Sequence, residues 1–311
     1  MIMNIPSMAR PCCILSLAVL LTPRMYAATV LDQVTVAVFE LRTPIQERYV
    51  KDGVVYEVWL RPPNTNSFEP KTQTESGSGF FLTTTQMMYL VTAKHLAMNC
   101  NSNTEMIFGS DGRPASLSIR DLTGPNSTNK MWLNHEHADV AIMPIFPTMD
   151  SLKSLAGRSI GLEMLQQDLA GPRREIPLTI VGFPLDAGAH GHFFSPLSRE
   201  TKAASGLVTT SQGNFFFLQD PSIEGYSGSP VLDLGGAFFL DASLQGLQRP
   251  LKCFGVVSST ISDNTGGKLC AVVPAYYVLE LVKRMESDAK FQHLLKDWYA
   301  RIGVPSIVFK Q

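Results

Sequence analysis

The chain has 311 residues, 45% of them hydrophobic and 17% charged, with a formal net charge of −1. This composition is ordinary for a globular protein and excludes the polar, highly charged profile of a disordered one. Near-neutral charge with no run of five or more like charges gives no reason to expect a nucleic-acid backbone or an anionic membrane surface as partner.

Arg10 precedes the apolar stretch Cys12–Leu21, and small residues follow at Ala27 and Ala28. That layout predicts an export signal over residues 1–28, cleaved near Ala28. Arg24 and Tyr26 make the cleavage region irregular, so an uncleaved anchor or a buried N-terminal helix is the other reading. The stretch is short of the roughly 20 apolar residues that span a bilayer. After signal removal the protein is expected to be secreted or periplasmic, without stable membrane insertion.

From residue 29 to about 146, short β-like runs recur at Val34–Phe39, Val54–Leu60, Phe80–Leu82, Tyr89–Thr92 and Val140–Ile142. Turn clusters such as Ser110-Asp111-Gly112-Arg113 separate them, a spacing that predicts an all-β barrel or sandwich. A second set follows at Leu178–Gly182, Gly206–Thr209, Phe215–Leu218, Val231–Leu232, Phe254–Val257 and Ala271–Val273. Residues 147–175, with Pro147 and Pro172 near the ends, read as the connection between the sets. After Pro274, which suits a first helical turn, Val278, Leu281, Val282, Met285, Phe291, Leu294, Leu295 and Trp298 recur at helical spacing. Ser287-Asp288 is placed to break or restart that helix.

Beyond the signal lie three cysteines, Cys100, Cys253 and Cys270. In an oxidising compartment Cys253 and Cys270 are candidates for a disulfide between two late strands, with separate buried thiols as the alternative. No cysteines sit at zinc-ligand spacing, and neither His135 with His137 nor His190 with His192 has a third ligand nearby. Gly235-Gly236 and Gly266-Gly267 read as hairpin turns, because no helix follows to make a phosphate site. No metal and no cofactor are expected.

Three short motifs carry chemistry. In Gly225-Tyr226-Ser227-Gly228-Ser229-Pro230, glycines flanking a serine permit a tight turn that aims the N–H groups of Gly225 and Ser227 at one point. Val91-Thr92-Ala93-Lys94-His95 puts a histidine directly after a β-like run, and Ala138-Asp139-Val140 puts a carboxylate at the mouth of another. Peptide hydrolysis needs a nucleophile, a base, a group that orients the base and donors for an oxyanion, and these motifs offer all four. The order His95, Asp139, Ser227, separated by 44 and 88 residues, parallels the chymotrypsin type, with separations of about 45 and 93. The α/β-hydrolase order and its Gly-x-Ser-x-Gly turn do not fit, because Ser229 stands two places after Ser227.

With these motifs, the chain over about 75–280 resembles the trypsin-like serine proteases, and within them the high-temperature-requirement group. The resemblance rests on Gly77-Ser78-Gly79-Phe80, Asp139-Val140-Ala141, Val181-Gly182-Phe183-Pro184, Ser205-Gly206-Leu207-Val208, Gln219-Asp220 and Ala271-Val272-Val273-Pro274, in that order. It implies two six-stranded antiparallel β-barrels with the active site between them. His95 would be the general base, Asp139 its orienter and Ser227 the nucleophile, acting on a protein or peptide. The barrels would take residues 29–146 and 176–275, joined by 147–175, with a helix and tail over 276–311. The resemblance places Pro221 and Ser222 at the floor of the primary pocket and Ser258, Ser259 and Thr260 along its wall. The absence of an acidic residue there points to a small or medium apolar side chain.

The chain departs from the family in three places. Ser229 replaces a usual glycine, and Tyr226 replaces the aspartate that pairs with a freshly cut N-terminus in digestive relatives. After the helix, too few residues remain for the peptide-binding module that many of the group append. The competing reading is a catalytically silent domain that pairs an extended peptide with the strand near Ser258. Oligomeric state is not legible.

Overall fold

The computed structural model describes residues 30–62, 67–123, 132–189, 191–211, 213–235 and 250–303. The expected export signal, His190 and Gly236 lie outside the described residues. In chain order the first strands are β1 (Val38–Gln46), β2 (Arg48–Lys51), β3 (Val54–Glu57), β4 (Trp59–Leu60), β5 (Glu69–Pro70) and β6 (Thr72–Thr83). There follow β7 (Met88–Thr92), β8 (Glu105–Ser110), β9 (Arg113–Ser118), β10 (Leu133–Asn134), β11 (Ala141–Pro144) and β12 (Ile160–Gly161). The second half supplies β13 (Pro177–Gly182), β14 (Leu197–Lys202), β15 (Val208–Thr210), β16 (Gly213–Leu218), β17 (Pro230–Asp233), β18 (Lys252–Ser262) and β19 (Lys268–Pro274).

These strands form the expected all-β, two-barrel fold with a helical C-terminus. One sheet runs β10-β11-β7-β6-β1-β8-β9, with β12 joined to β6 as a parallel pair; the other runs β14-β13-β17-β18-β19-β16-β15. Among the described residues the two sheets hold eight and seven strands, against the six expected of each barrel, and two-residue pairings such as β10 with β11 account for part of the excess. β2 to β5 form two small ribbons apart from both.

The apolar runs are continuous because both faces of the central strands are covered. Along β6, Phe81 faces the core of the first barrel, while Phe80 and Leu82 face a cluster shared by both sheets. In the second barrel Val257 and Val272 point into its own core, and their neighbours Val256 and Val273 point into the shared cluster. Side chains that alternate at period two can fill two cores from one strand. Burial of each such phenylalanine contributes about 2–3 kcal/mol.

Several sequence expectations need correction. Residues Val30–Thr35 form a short helix, so the run read from Val34 becomes a strand only at Val38, where pairing with Phe80 begins. Pro274 closes β19 opposite Gly255 instead of opening a helix. Two helices follow, Tyr276–Glu286 and Ala289–Ile302, the second capped by Asp288, which accepts the Phe291 N–H at 2.9 Å. Their stripe of Val278, Leu281, Val282, Phe291, Leu295 and Trp298 packs on the shared cluster, but Leu294 is 52% exposed.

The expected Cys253–Cys270 disulfide is not formed; both thiols are free and buried. Register explains why. Cys270 pairs across to Thr260, seven residues along β18 from Cys253, or roughly 23 Å at a strand's rise. A disulfide needs the two Cα atoms within about 7 Å.

Candidate active site

Strand β7 leads into the helix Lys94–Asn99, whose N-cap Ala93 offers no side chain to the free N–H groups of the first turn. Asp139, in the loop before β11, supplies one acceptor. Its Oδ1 accepts the His95 backbone N–H at 2.9 Å, and its Oδ2 lies 2.8 Å from ring Nδ1. A carboxylate only accepts, so Nδ1 carries the proton and Nε2 of the neutral ring keeps its lone pair.

Ser258 donates a third hydrogen bond, Oγ to Asp139 Oδ2 at 2.7 Å. It can do so because β18 bulges between Val257 and Ser259, which takes Ser258 out of the ladder with β19. A bulge of this kind re-aims a side chain. Burial pushes the Asp139 carboxyl up, but the hydrogen bond and charge of His95, with the Ser258 donor, outweigh it and hold it below its ordinary value. Burial pulls the His95 imidazole down, and the hydrogen bond and charge of Asp139, with Glu75 beyond, hold it above its ordinary value.

The Ser227 hydroxyl donates to the Ser258 carbonyl at 3.0 Å. One residue of the second barrel therefore touches both Asp139 and Ser227. Around the serine, Gly225 has φ +95° and Gly228 φ +87°, in the left-handed region that side chains avoid. At Gly228 a Cβ would also stand 1.9 Å from the Ser78 carbonyl oxygen. Ser78, on β6 of the first barrel, clamps this loop. Its N–H donates to the Ser227 carbonyl at 2.8 Å, and its hydroxyl donates to the Gly225 carbonyl at 2.7 Å while accepting the Phe183 N–H.

The carbonyls of Glu224 and Tyr226 accept from the N–H groups of Leu185 and Ser229, at 2.8 and 2.9 Å. In a planar trans peptide the N–H points opposite to the carbonyl. The Gly225 and Ser227 N–H groups thus face away from those bonds, and among the described residues neither has a protein acceptor.

No protein-family profile matches the sequence, and no curated protein matches it. Among solved structures, the chain is similar to the thermostable serine protease AL20 from an extremophilic microorganism, at 12% identity and TM-score 0.44, covering 80% of this chain and 96% of that one. It is also similar to human heparin binding protein, at 9% identity and TM-score 0.45, covering 83% and 94%. A third is the protease Anisep from Arthrobacter nicotinovorans, at 13% identity and TM-score 0.42, covering 78% and 91%.

An open cleft of about 410 Å³ passes His95 and Asp139, bounded by Lys94, Met98, Glu136 and Gly213. Pro221, Ser222, Ser259 and Thr260 do not line it. The Thr260 hydroxyl donates to the Ser222 carbonyl at 2.9 Å, which joins two of these residues. Arg199 was missed by the sequence reading. It donates to the Pro221 carbonyl at 2.7 Å and pairs with Asp220 at 3.4 Å. No local signal marks it, since Arg199 lies on β14, 22 residues before Pro221.

Ser229 has no left-handed torsion, so glycine is not required there. Tyr226 is buried in the core of the second barrel. His135 sits against Tyr277 and reaches Glu280 at 3.2 Å, and among the described residues no cluster could hold a metal ion.

Proposed function

We propose that the chain is a trypsin-like serine endopeptidase. The observation that carries this reading is that Ser258 links the two halves of the site, its hydroxyl donating to the Asp139 carboxylate that holds His95 and its backbone carbonyl accepting the Ser227 hydroxyl. In the proposed reaction the Ser227 hydroxyl attacks a peptide carbonyl as His95 Nε2 takes its proton, and the Gly225 and Ser227 N–H groups receive the oxyanion. The imidazolium, stabilised by Asp139, then protonates the leaving amine, and water releases the acyl group by the same steps. The Ser227 hydroxyl rests on the Ser258 carbonyl and must turn from it to His95 for the attack; such bonds often form only once substrate is bound.

The closeness to the high-temperature-requirement group, the division at residues 146, 175 and 275, and export after cleavage of 1–28 belong to the same proposal. Arg199 bonded to the Pro221 carbonyl brings positive charge to the pocket loop. Asp220 is paired with that guanidinium at 3.4 Å, so it is not a free counter-charge for a Lys or Arg side chain, and a small or medium apolar one is favoured. The second reading, a silent peptide-binding domain, is favoured by the Ser227 hydroxyl resting on Ser258. A fluorophosphonate probe separates the two: an activated serine is labelled, and Ser227→Ala abolishes the signal. Absence of labelling in the folded wild type would favour the silent domain.

A further inference from the structure

The Gly225 N–H belongs to the peptide unit whose carbonyl is that of Glu224. Whatever holds that carbonyl sets where the N–H points. The holder is the Leu185 N–H, at 2.8 Å. Leu185 (φ +54°, ψ 34°) and Asp186 (φ +57°) are consecutive left-handed residues without glycine, a conformation that persists only where its surroundings impose it. The Leu185 side chain is 70% exposed, so apolar burial does not impose it. The Asp186 carboxylate is the anchor: it accepts the Ser76 hydroxyl and faces the carboxyl of Glu40.

Glu40 is fully buried on β1, and no N–H or O–H of the described residues donates to either of its oxygens. Along its own strand, Arg42 Nε lies 3.6 Å from Oε1. Across the sheet its neighbours are Ser78 on β6 and Ile107 on β8, with Glu105 opposite Arg42 instead. Among the described residues of the loop, Asp186 faces it. Two carboxyl groups facing each other, one of them fully buried, are best satisfied by a single shared proton.

We propose that Asp186, anchored by Ser76 and by a proton shared with Glu40, is a positioning residue that keeps the Leu185 N–H on Glu224 and so aims the Gly225 N–H. The inference rests on the serine-protease reading. In support, the Glu40 carboxyl is pushed up to about 7, by burial first, against Arg42 and with the Asp186 charge adding to it. Below that pH the pair holds its proton. Above it two carboxylates repel each other, the loop loosens and the oxyanion donor loses its aim.

The test measures the rate of fluorophosphonate labelling and the kcat and KM of peptide cleavage, from about pH 6 to 9, with circular dichroism as the fold control. Glu40→Gln can donate to Asp186 at every pH. Its ratio of labelling rates at about pH 8.5 to pH 7 should exceed that of the wild type by about tenfold, a fraction of the hundredfold or more that losing one oxyanion donor costs. Asp186→Gly tolerates the left-handed backbone but lacks the anchor. It should lower kcat about tenfold and leave KM within about twofold. Equal pH ratios in wild type and Glu40→Gln, or an unchanged kcat in Asp186→Gly, would overturn the inference while labelling of the wild type upholds the protease reading. A folded wild type that is labelled at no pH would overturn both.

Discussion

Replacing Asp139 by asparagine is the most discriminating perturbation of the proposed site. The carboxylate accepts from the His95 N–H, from His95 Nδ1 and from Ser258 Oγ, at 2.9, 2.8 and 2.7 Å. The amide oxygen must stay on the His95 backbone N–H, because the flipped amide would set donor against donor at a cost of about 1–3 kcal/mol. The NH₂ group then faces Nδ1, which has to become an acceptor, and the ring proton moves to Nε2. A histidine protonated at Nε2 cannot take the proton of Ser227. The expected loss in kcat/KM is roughly ten-thousandfold, or about 5.5 kcal/mol. The assay is cleavage of unfolded casein or a fluorogenic peptide at one pH, on protein checked by circular dichroism. In the wild type the acid limb of the pH profile should lie above the ordinary histidine value of 6.5, since Asp139 holds the imidazole up. The substituted amide carries no charge, so any residual activity should show that limb displaced to lower pH. A folded Asp139→Asn that keeps activity within about tenfold of the wild type would refute the tautomer argument.

Ser258→Ala removes one donor to Asp139 but keeps the carbonyl that holds Ser227. It should lower kcat about fivefold with KM nearly unchanged, and rescue by Ser258→Thr distinguishes a lost hydrogen bond from lost packing. Gly228→Ala would combine φ +87° with a Cβ 1.9 Å from the Ser78 carbonyl oxygen. It should cost at least about 2 kcal/mol in urea denaturation; an unchanged midpoint would contradict the loop geometry. Burial pushes the Cys253 and Cys270 thiols up to about 12 and Cys100 up to about 11. All three should resist a disulfide-exchange reagent until the protein unfolds, and a reductant should not move the melting temperature. A reductant-sensitive melt would restore the disulfide.

The chain segments that act locally were legible in the sequence. A serine between glycines, a histidine at a strand end and an aspartate at a strand mouth are patterns of a few adjacent residues, and their order and spacing suggested one site. Apolar runs marked the strands, because burial on both faces leaves no polar residue at period two. The helical stripe after Pro274 was equally visible, and Asp288 was readable as its restart. What the sequence could not supply are the relations set by register and by approach across the barrels. The ladder of β18 with β19 separates Cys253 from Cys270. Its bulge makes Ser258, which the sequence suggested only for the pocket wall, the donor to Asp139, 119 residues away. The approach of β6 to the serine loop lets Ser78 clamp Gly225 across 147 residues. Hydrogen bonds of this kind join groups that no local preference brings together. They exist only after both cores have packed and fixed the strands against one another to within a few tenths of an ångström.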